Sequence, residues 1–321
     1  MRFVLFDDHR LGVVKGESVV DVSSTIGDAP GSDPRDNMRR LIERFADHRE
    51  RIRVAVAEAP GRPVASVRLR SPLPRPQHII CIRVNYRELQ PIFAGSTMAP
   101  DGDRTAPMPL DAFLKATGSV IGHEDTMVLP DVGATVFEGE AELGVVIGRY
   151  AADVSPADAM AYVFGYTGFI DGSARGLPPH YQMKSRATFA PIGPSIVTAD
   201  EIADPYDLQV RLWNNGVLMQ DFSTRHMAHD IAHCIAFASS VCPLEPGDII
   251  ATGTDHGGLH AFQHGDVVEL RIGDLELLRI HVRDDLKRTW ERETRSQRYA
   301  RGLRGTAPQL TGKYAPADAS S

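Results

Sequence analysis

The stretch FEGEAELGVVIG, residues 137–148, decides how the chain is read, together with GYTGFIDGSAR at 165–175. Leu143 to Ile147 form an apolar, β-branched run that predicts a buried strand. At its mouth Glu140 and Glu142 stand two residues apart. Successive strand side chains point to opposite faces, so these two leave the same face about 7 Å apart along the backbone. Two carboxylates so close repel each other unless something neutralises them. A hard dication does so well, and Asp171, at the end of the second apolar run, offers a third oxygen ligand. Carboxylates without His or Cys beside them favour Mg²⁺, Mn²⁺ or Ca²⁺ over zinc. The spacing alone leaves a second reading open, a strand end with solvated acids.

Composition narrows the class. The chain of 321 residues has room for one large domain and a smaller one. Its 35 basic and 42 acidic residues give a net charge of −7 with no basic stripe, which argues against a nucleic-acid partner. Cys81, Cys234 and Cys242 cannot all pair, and two of them sit in apolar runs, as buried thiols in a reducing compartment would. No apolar stretch approaches the ~20 residues of a membrane-spanning helix. The opening MRFVLFDDHR has acids where a signal peptide would be basic and then apolar. The expectation is a cytoplasmic protein with no membrane partner.

Three sections are legible. Residues 1–70 predict a small N-terminal α/β domain: MRFVLFDD, LGVVKG and SVVDVS read as hairpin strands, and 36–57 as a helix with Met38, Leu41, Ile42, Phe45, Ile52 and Val54 near helical spacing. The Pro-rich SPLPRPQ (71–77) marks a boundary. Residues 71–290 read as the larger domain, dominated by short strands between Gly, Pro and Asp turns, with one good helix expected at about 223–240. Residues 291–321 are polar with little to bury, so they are expected to be mobile or to pack on a neighbouring subunit.

The order of motifs resembles the fumarylacetoacetate hydrolase superfamily from about Pro76 to Val282. The motifs are HIICIRVNYREL (78–89), FLKATGSVIG (113–122), EGEAELGVVIG (138–148), GYTGFIDGSAR (165–175), MKSRATFAPIGP (183–194), NNGVLMQDFST (214–224) and PGDIIATGT (246–254). The resemblance implies an α+β, mostly β fold whose core is a distorted antiparallel β-roll, and a homodimer. It implies Glu140, Glu142 and Asp171 as metal ligands, with Glu138 a peripheral charge. Lys184, in MKSRATF, matches the family's active-site lysine; beside a metal its pKa is expected to fall. It could then protonate an enolate or hold an oxyanion. Arg175, Gln220 and Thr254 match positions near the metal or facing substrate, although Arg175 reads equally as a structural salt bridge. Thr254 is followed by Asp255 where relatives have proline.

The histidines carry less. His226, His229 and His233 fall at i, i+3 and i+7 on the expected helix, where a solvated face is favoured over zinc. Of His256, His260 and His264, near the Thr254 turn, one could reach the pocket. His180, four residues before Lys184, is the candidate alternative acid–base group.

Departures from the family pattern decide between mechanisms. Relatives carry N-Y-x-x-H-x-x-E, whose His and Glu activate water; here Leu89 and Ile92 stand at those positions and can accept no proton. Arg83 replaces the glycine before that motif, and reads either as a bidentate anchor for a second substrate carboxylate or as a structural residue. Ala187 stands where many members have Asp. A 2-oxo acid can chelate a dication that retains exchangeable positions, and the dication then stabilises the enolate. The first expectation is therefore an isomerase- or tautomerase-like enzyme acting on a 2-oxo acid or β-diketo acid. The alternatives are an acylpyruvate or fumarylacetoacetate-type C–C hydrolase with His180 or Glu88 as substitute base, and a catalytically weak metal-binding regulatory subunit.

Overall fold

The structure, a computed structural model, describes residues 1–27, 31–86 and 109–316. The chain is mostly β. Among the described residues one twelve-stranded sheet runs through Arg62–Pro63, Ser18–Asp21, Arg10–Lys15, Arg2–Phe6, Ala190–Thr198, Val163–Arg175, Val136–Ile147, Ile249–Ala251, Ile79–Ile82 and Ala112–Leu114, with two short strands pairing off this path. A five-stranded sheet is ordered Val217–Ser223, Gln209–Asn214, Val267–Ile272, Leu278–Arg283 and Thr126–Val128. The expected N-terminal hairpins form, and Arg2 and Phe3 pair with Val197 and Ile196, so these strands continue the large sheet.

Two long strands make the centre of this sheet. Val136–Ile147 is buried along its whole length, and Val163–Arg175 is buried except at its ends. They pair antiparallel for twelve residues with Glu140 opposite Asp171 and Glu142 opposite Phe169. Both faces are covered, which is why the strand reads as an apolar run. Gly139 is required by packing: a Cβ there would lie 2.5 Å from two Phe262 ring carbons and 2.9 Å from Ile170.

Two helical expectations need correction. The helix at 36–57 is broken into Asn37–Glu43 and Phe45–Glu58, with Arg44 at φ −129°, ψ 29°. The break turns Phe45 onto the rings of Phe3 and Phe164, 5.7 and 5.2 Å away, both in edge contact. The helix expected from Ser223 begins instead at Ile231 and ends at Val241. Ser223 closes a strand, and Asn85 captures the backbone that would have extended the helix. Its carbonyl accepts from Ala228 N at 2.7 Å and its Oδ1 from His229 N at 2.9 Å. Asp230 then caps the helix by accepting from His233 N. His226, His229 and His233 therefore share no helical face; only His233 lies on the helix.

Beyond Arg283 the chain packs back on its own core. Arg288 is buried with its guanidinium on both oxygens of Asp284, and Trp290 Nε1 donates to Thr135 O at 2.7 Å. A short helix, Arg295–Ala300, follows a capping box formed by Thr294 and Gln297. No helix among the described residues is long and apolar enough to cross a membrane.

Candidate active site

Strand register assembles the acids. Directly opposed residues on one sheet face have Cβ atoms about 5 Å apart, so the pairing of Glu140 with Asp171 and the two-residue step to Glu142 place three carboxylates together. Glu140, Glu142 and Asp171 are all buried, and one ligand oxygen from each lies within 4.8 Å of the others. Glu142 is fixed from a third direction: its Oε2 accepts from Gly253 N at 2.7 Å. Gly253 has φ +87°, and a Cβ there would sit 3.0 Å from that of Asn85, so a glycine is needed for this donor to approach.

Cations surround the triad. Lys184 closes the short helix Tyr181–Lys184, and its Nζ lies 2.5 Å from Glu140 Oε1 and 2.5 Å from Asp171 Oδ2. Arg175, facing the triad from the end of its strand, places Nη2 2.5 Å from Glu140 Oε1 and Nε 2.9 Å from Glu138 Oε2. Two further cations were not singled out by sequence reasoning. Lys115 is fully buried with Nζ 2.5 Å from Asp171 Oδ1, and it also donates to the carbonyls of Gly172 and Lys184. Arg295 reaches Glu138 Oε2 with Nη2 at 2.6 Å.

These contacts set the electrostatics. Burial would raise Glu140, but Lys184 and Arg175 hold it well below the ordinary carboxylate range. Burial pushes Glu142 well above that range, and repulsion from Asp171 and Glu140 adds to it. Burial opposes the charge of Lys184, yet Asp171 and Glu140 outweigh it and raise its pKa. The expected fall required a dication beside the lysine; with the acids as its neighbours the shift has the opposite sign. The donor set fits a hard dication: three convergent buried carboxylates, two of them bridged by an ammonium group.

A cavity of about 280 Å³ opens onto Glu140 of the triad, lined also by Arg83, Phe113, Arg175, His180, Lys184, Thr254, His256 and Arg295. His180 stacks near Phe113, centroids 5.6 Å apart, and adopts φ 65°, ψ −97°, a strained conformation for a residue with a side chain. Its Nδ1 is buried without a hydrogen-bond partner among the described residues. Of the three histidines near Thr254, His256 reaches the cavity, with Nε2 3.9 Å from Glu140 Oε2; burial lowers its pKa to about 3, so it is neutral. His260 packs on Asn214 and His264 on Lys287.

Other expected contacts are placed differently. Gln220 spends its amide on the protein: Nε2 donates to Gly139 O at 2.9 Å, while Oε1 accepts from Ala141 N and Thr254 Oγ1. It positions the acid-bearing strand and the Thr254 turn rather than lining the cavity. Arg83 lines the cavity and is ion-paired with Asp111. Leu89, Ile92 and Glu88 lie outside the described residues.

A mostly β core with a buried triad of acids beside a lysine defines a fumarylacetoacetate hydrolase-type site. The family profile for the fumarylacetoacetate (FAA) hydrolase C-terminal domain matches residues 78–283, and the chain belongs to that family. Maleylpyruvate hydrolase of Aquipseudomonas alcaligenes is 32% identical over 288 residues, 88% of this chain and 99% of that protein. A mitochondrial oxaloacetate tautomerase of Rattus norvegicus is 32% identical over 241 residues, 70% of this chain and 72% of its own. Among solved structures, maleylpyruvate hydrolase from Sphingobium sp. SYK-6, in complex with manganese(II) and pyruvate, matches with a TM-score of 0.78 at 35% identity, covering 88% of this chain and 99% of that one. The chain is thus an enzyme of a metal-using family whose relatives act on small acids.

Proposed function

We propose that this protein is a divalent-metal-dependent enzyme that interconverts keto and enol forms of a 2-oxo acid or β-diketo acid. The observation that carries the reading is the convergence of Glu140, Glu142 and Asp171 on one point with Lys184 Nζ 2.5 Å from two of them. A dication such as Mg²⁺ or Mn²⁺, held by the three carboxylates, would polarise the carbonyl oxygen of the substrate and so acidify the adjacent C3 protons. With a dication on the triad, Lys184 would share Glu140 and Asp171 with it, and its ammonium would serve to hold or deliver a proton at the reacting carbon or oxygen. His180, the residue before the Lys184 helix and beside the same Phe113 ring, also lines the cavity and is the candidate to take a proton from C3. Arg175 keeps Glu140 ionised and aimed inward. Thr254 and His256 add neutral polar side chains to the cavity lining.

The absence of a His–Glu pair at Leu89 and Ile92 supports tautomerisation over hydrolysis, because water gains no base there. A second reading, acylpyruvate C–C hydrolysis with His180 activating water, is favoured by near full-length likeness to maleylpyruvate hydrolases. The test compares two assays on one preparation with Mg²⁺ or Mn²⁺: ultraviolet decay of enol oxaloacetate, and pyruvate release from acylpyruvates. Catalysed ketonisation without pyruvate release supports the first reading. Pyruvate release without catalysed ketonisation replaces it with the second.

A further inference from the structure

Arg295 lies beyond the family-matched residues 78–283, yet it enters the site. The capping box at Thr294 fixes the start of its helix, and Arg295 N donates to Leu259 O at 3.0 Å, tying that helix to the turn carrying His256. Its side chain is 12% exposed. The guanidinium reaches Glu138 through Nε and Nη2, and Nη1 takes no part in those contacts. Glu138 already has a partner, since Arg175 Nε lies 2.9 Å from the same oxygen. A second guanidinium on one carboxylate exceeds what neutralising that acid requires.

The charge balance shows what the excess is for. The acids of this cluster are Glu138, Glu140, Glu142 and Asp171; among the described residues the Lys and Arg side chains ion-paired with them are Lys115, Lys184, Arg175 and Arg295. With every acid ionised the cluster is neutral. A dication on the triad therefore leaves two uncompensated positive charges in a low-dielectric cavity, and such charges must be paired. A 2-oxo monocarboxylate supplies one negative charge. A 2-oxo dicarboxylate supplies both. The first carboxylate belongs beside the triad; of the four cations, Arg295 alone contacts none of the triad acids, so it is the one open to the second.

We propose that Arg295 is a specificity-determining residue that receives a distal substrate carboxylate, so that the enzyme takes 2-oxo dicarboxylates in preference to 2-oxo monocarboxylates. Planar N–H pairs suit carboxylate oxygens, and Glu138 holds the fork in place before the ligand arrives. This inference rests on the proposed reading of the triad as a site for 2-oxo acids.

The experiment is calorimetric titration of the Mn²⁺-loaded protein with oxaloacetate and 2-oxoglutarate, against pyruvate and 2-oxobutanoate, which needs no turnover. The unaltered protein should bind at least one dicarboxylate about 10–100-fold more tightly than either monocarboxylate, the range expected for one charge-assisted contact. Arg295→Met should reduce that preference to within about 3-fold while pyruvate affinity stays within about 3-fold of the parent. If Arg295→Met fails to fold, Arg295→Gln keeps a donor for Glu138, removes the charge, and should give the same result. A parent that binds both classes equally overturns the inference and leaves the 2-oxo acid reading standing. So does an equal loss of both classes in a folded Arg295 variant, which would make the residue structural. A Mn²⁺-loaded parent that binds none of the four ligands overturns the 2-oxo acid reading itself, and the inference with it.

Discussion

Lys184 Nζ lies 2.5 Å from Asp171 Oδ2, and the same ammonium lies 2.5 Å from Glu140 Oε1. The two acids proposed as dication ligands are thus held by a side-chain cation. Charge on the lysine and charge on a metal compete for the same oxygens. Replacing Lys184 with Met should therefore tighten Mn²⁺ binding in calorimetry, because a repelling charge is removed, while turnover falls by ~10²-fold or more. Weaker metal binding in Lys184→Met would contradict this arrangement.

Glu142 lacks a lysine of its own and is held by Gly253 N. In its proposed role as a metal ligand it should matter more than any outer partner, whose loss typically costs ~10–100-fold in metal affinity. Glu142→Ala should exceed that range in a Mn²⁺ titration. Unchanged affinity would remove Glu142 from the ligand set.

Lys115 holds Asp171 from the other side and is fully buried. Lys115→Met leaves a buried carboxylate short of a partner, which should destabilise the protein by about 3–5 kcal/mol in the presence of a chelator. Added Mn²⁺ should then raise the melting temperature of the variant more than that of the parent, since the ion supplies the missing charge and binds only the folded state. Equal metal-induced shifts would show that Lys115 acts elsewhere.

The acids were legible in the sequence because a strand repeats every two residues, and the apolar run around Glu140 and Glu142 fixed that period. The run at 165–175 offered Asp171 as a third acid, and the family resemblance, not the spacing, joined it to the two glutamates as a ligand set. Lys115 was harder: it stands at the end of the short strand Ala112–Leu114, where a lysine ordinarily turns to solvent, and only the folded chain brings it to Asp171. Arg295 was out of reach. Its partner Glu138 is 157 residues away, and a polar, arginine-rich C-terminal stretch has no local pattern that separates a buried anchor from a solvated tail. The misplaced helix at Ser223 has a similar cause, since the capture of Ala228 and His229 by Asn85 is a tertiary contact.

Asp284 and Arg288 give a pH prediction outside the site. Burial would raise the Asp284 carboxyl, but the Arg288 guanidinium and backbone N–H groups bring it below its ordinary value. A depressed folded pKa means stability present above the unfolded value near pH 4 and lost as pH falls through the folded value. Asp284→Asn should thus lower stability at pH 7 and show a shallower loss between about pH 4 and pH 2 than the parent. Denaturant melts at pH 7 and pH 3 measure both, and parallel losses would contradict the assignment.

If the triad and Lys184 enolise a bound 2-oxo acid, proton exchange at C3 reads that step without any product. The measurement is NMR of a 2-oxo dicarboxylate in D₂O with the Mg²⁺-loaded protein. The account predicts loss of the C3 proton signal well above the protein-free rate, abolished by a chelator and reduced ~10²-fold or more in Lys184→Met. Unexchanged C3 protons, in a sample that releases pyruvate from an acylpyruvate at about 1 s⁻¹ or faster, would contradict it.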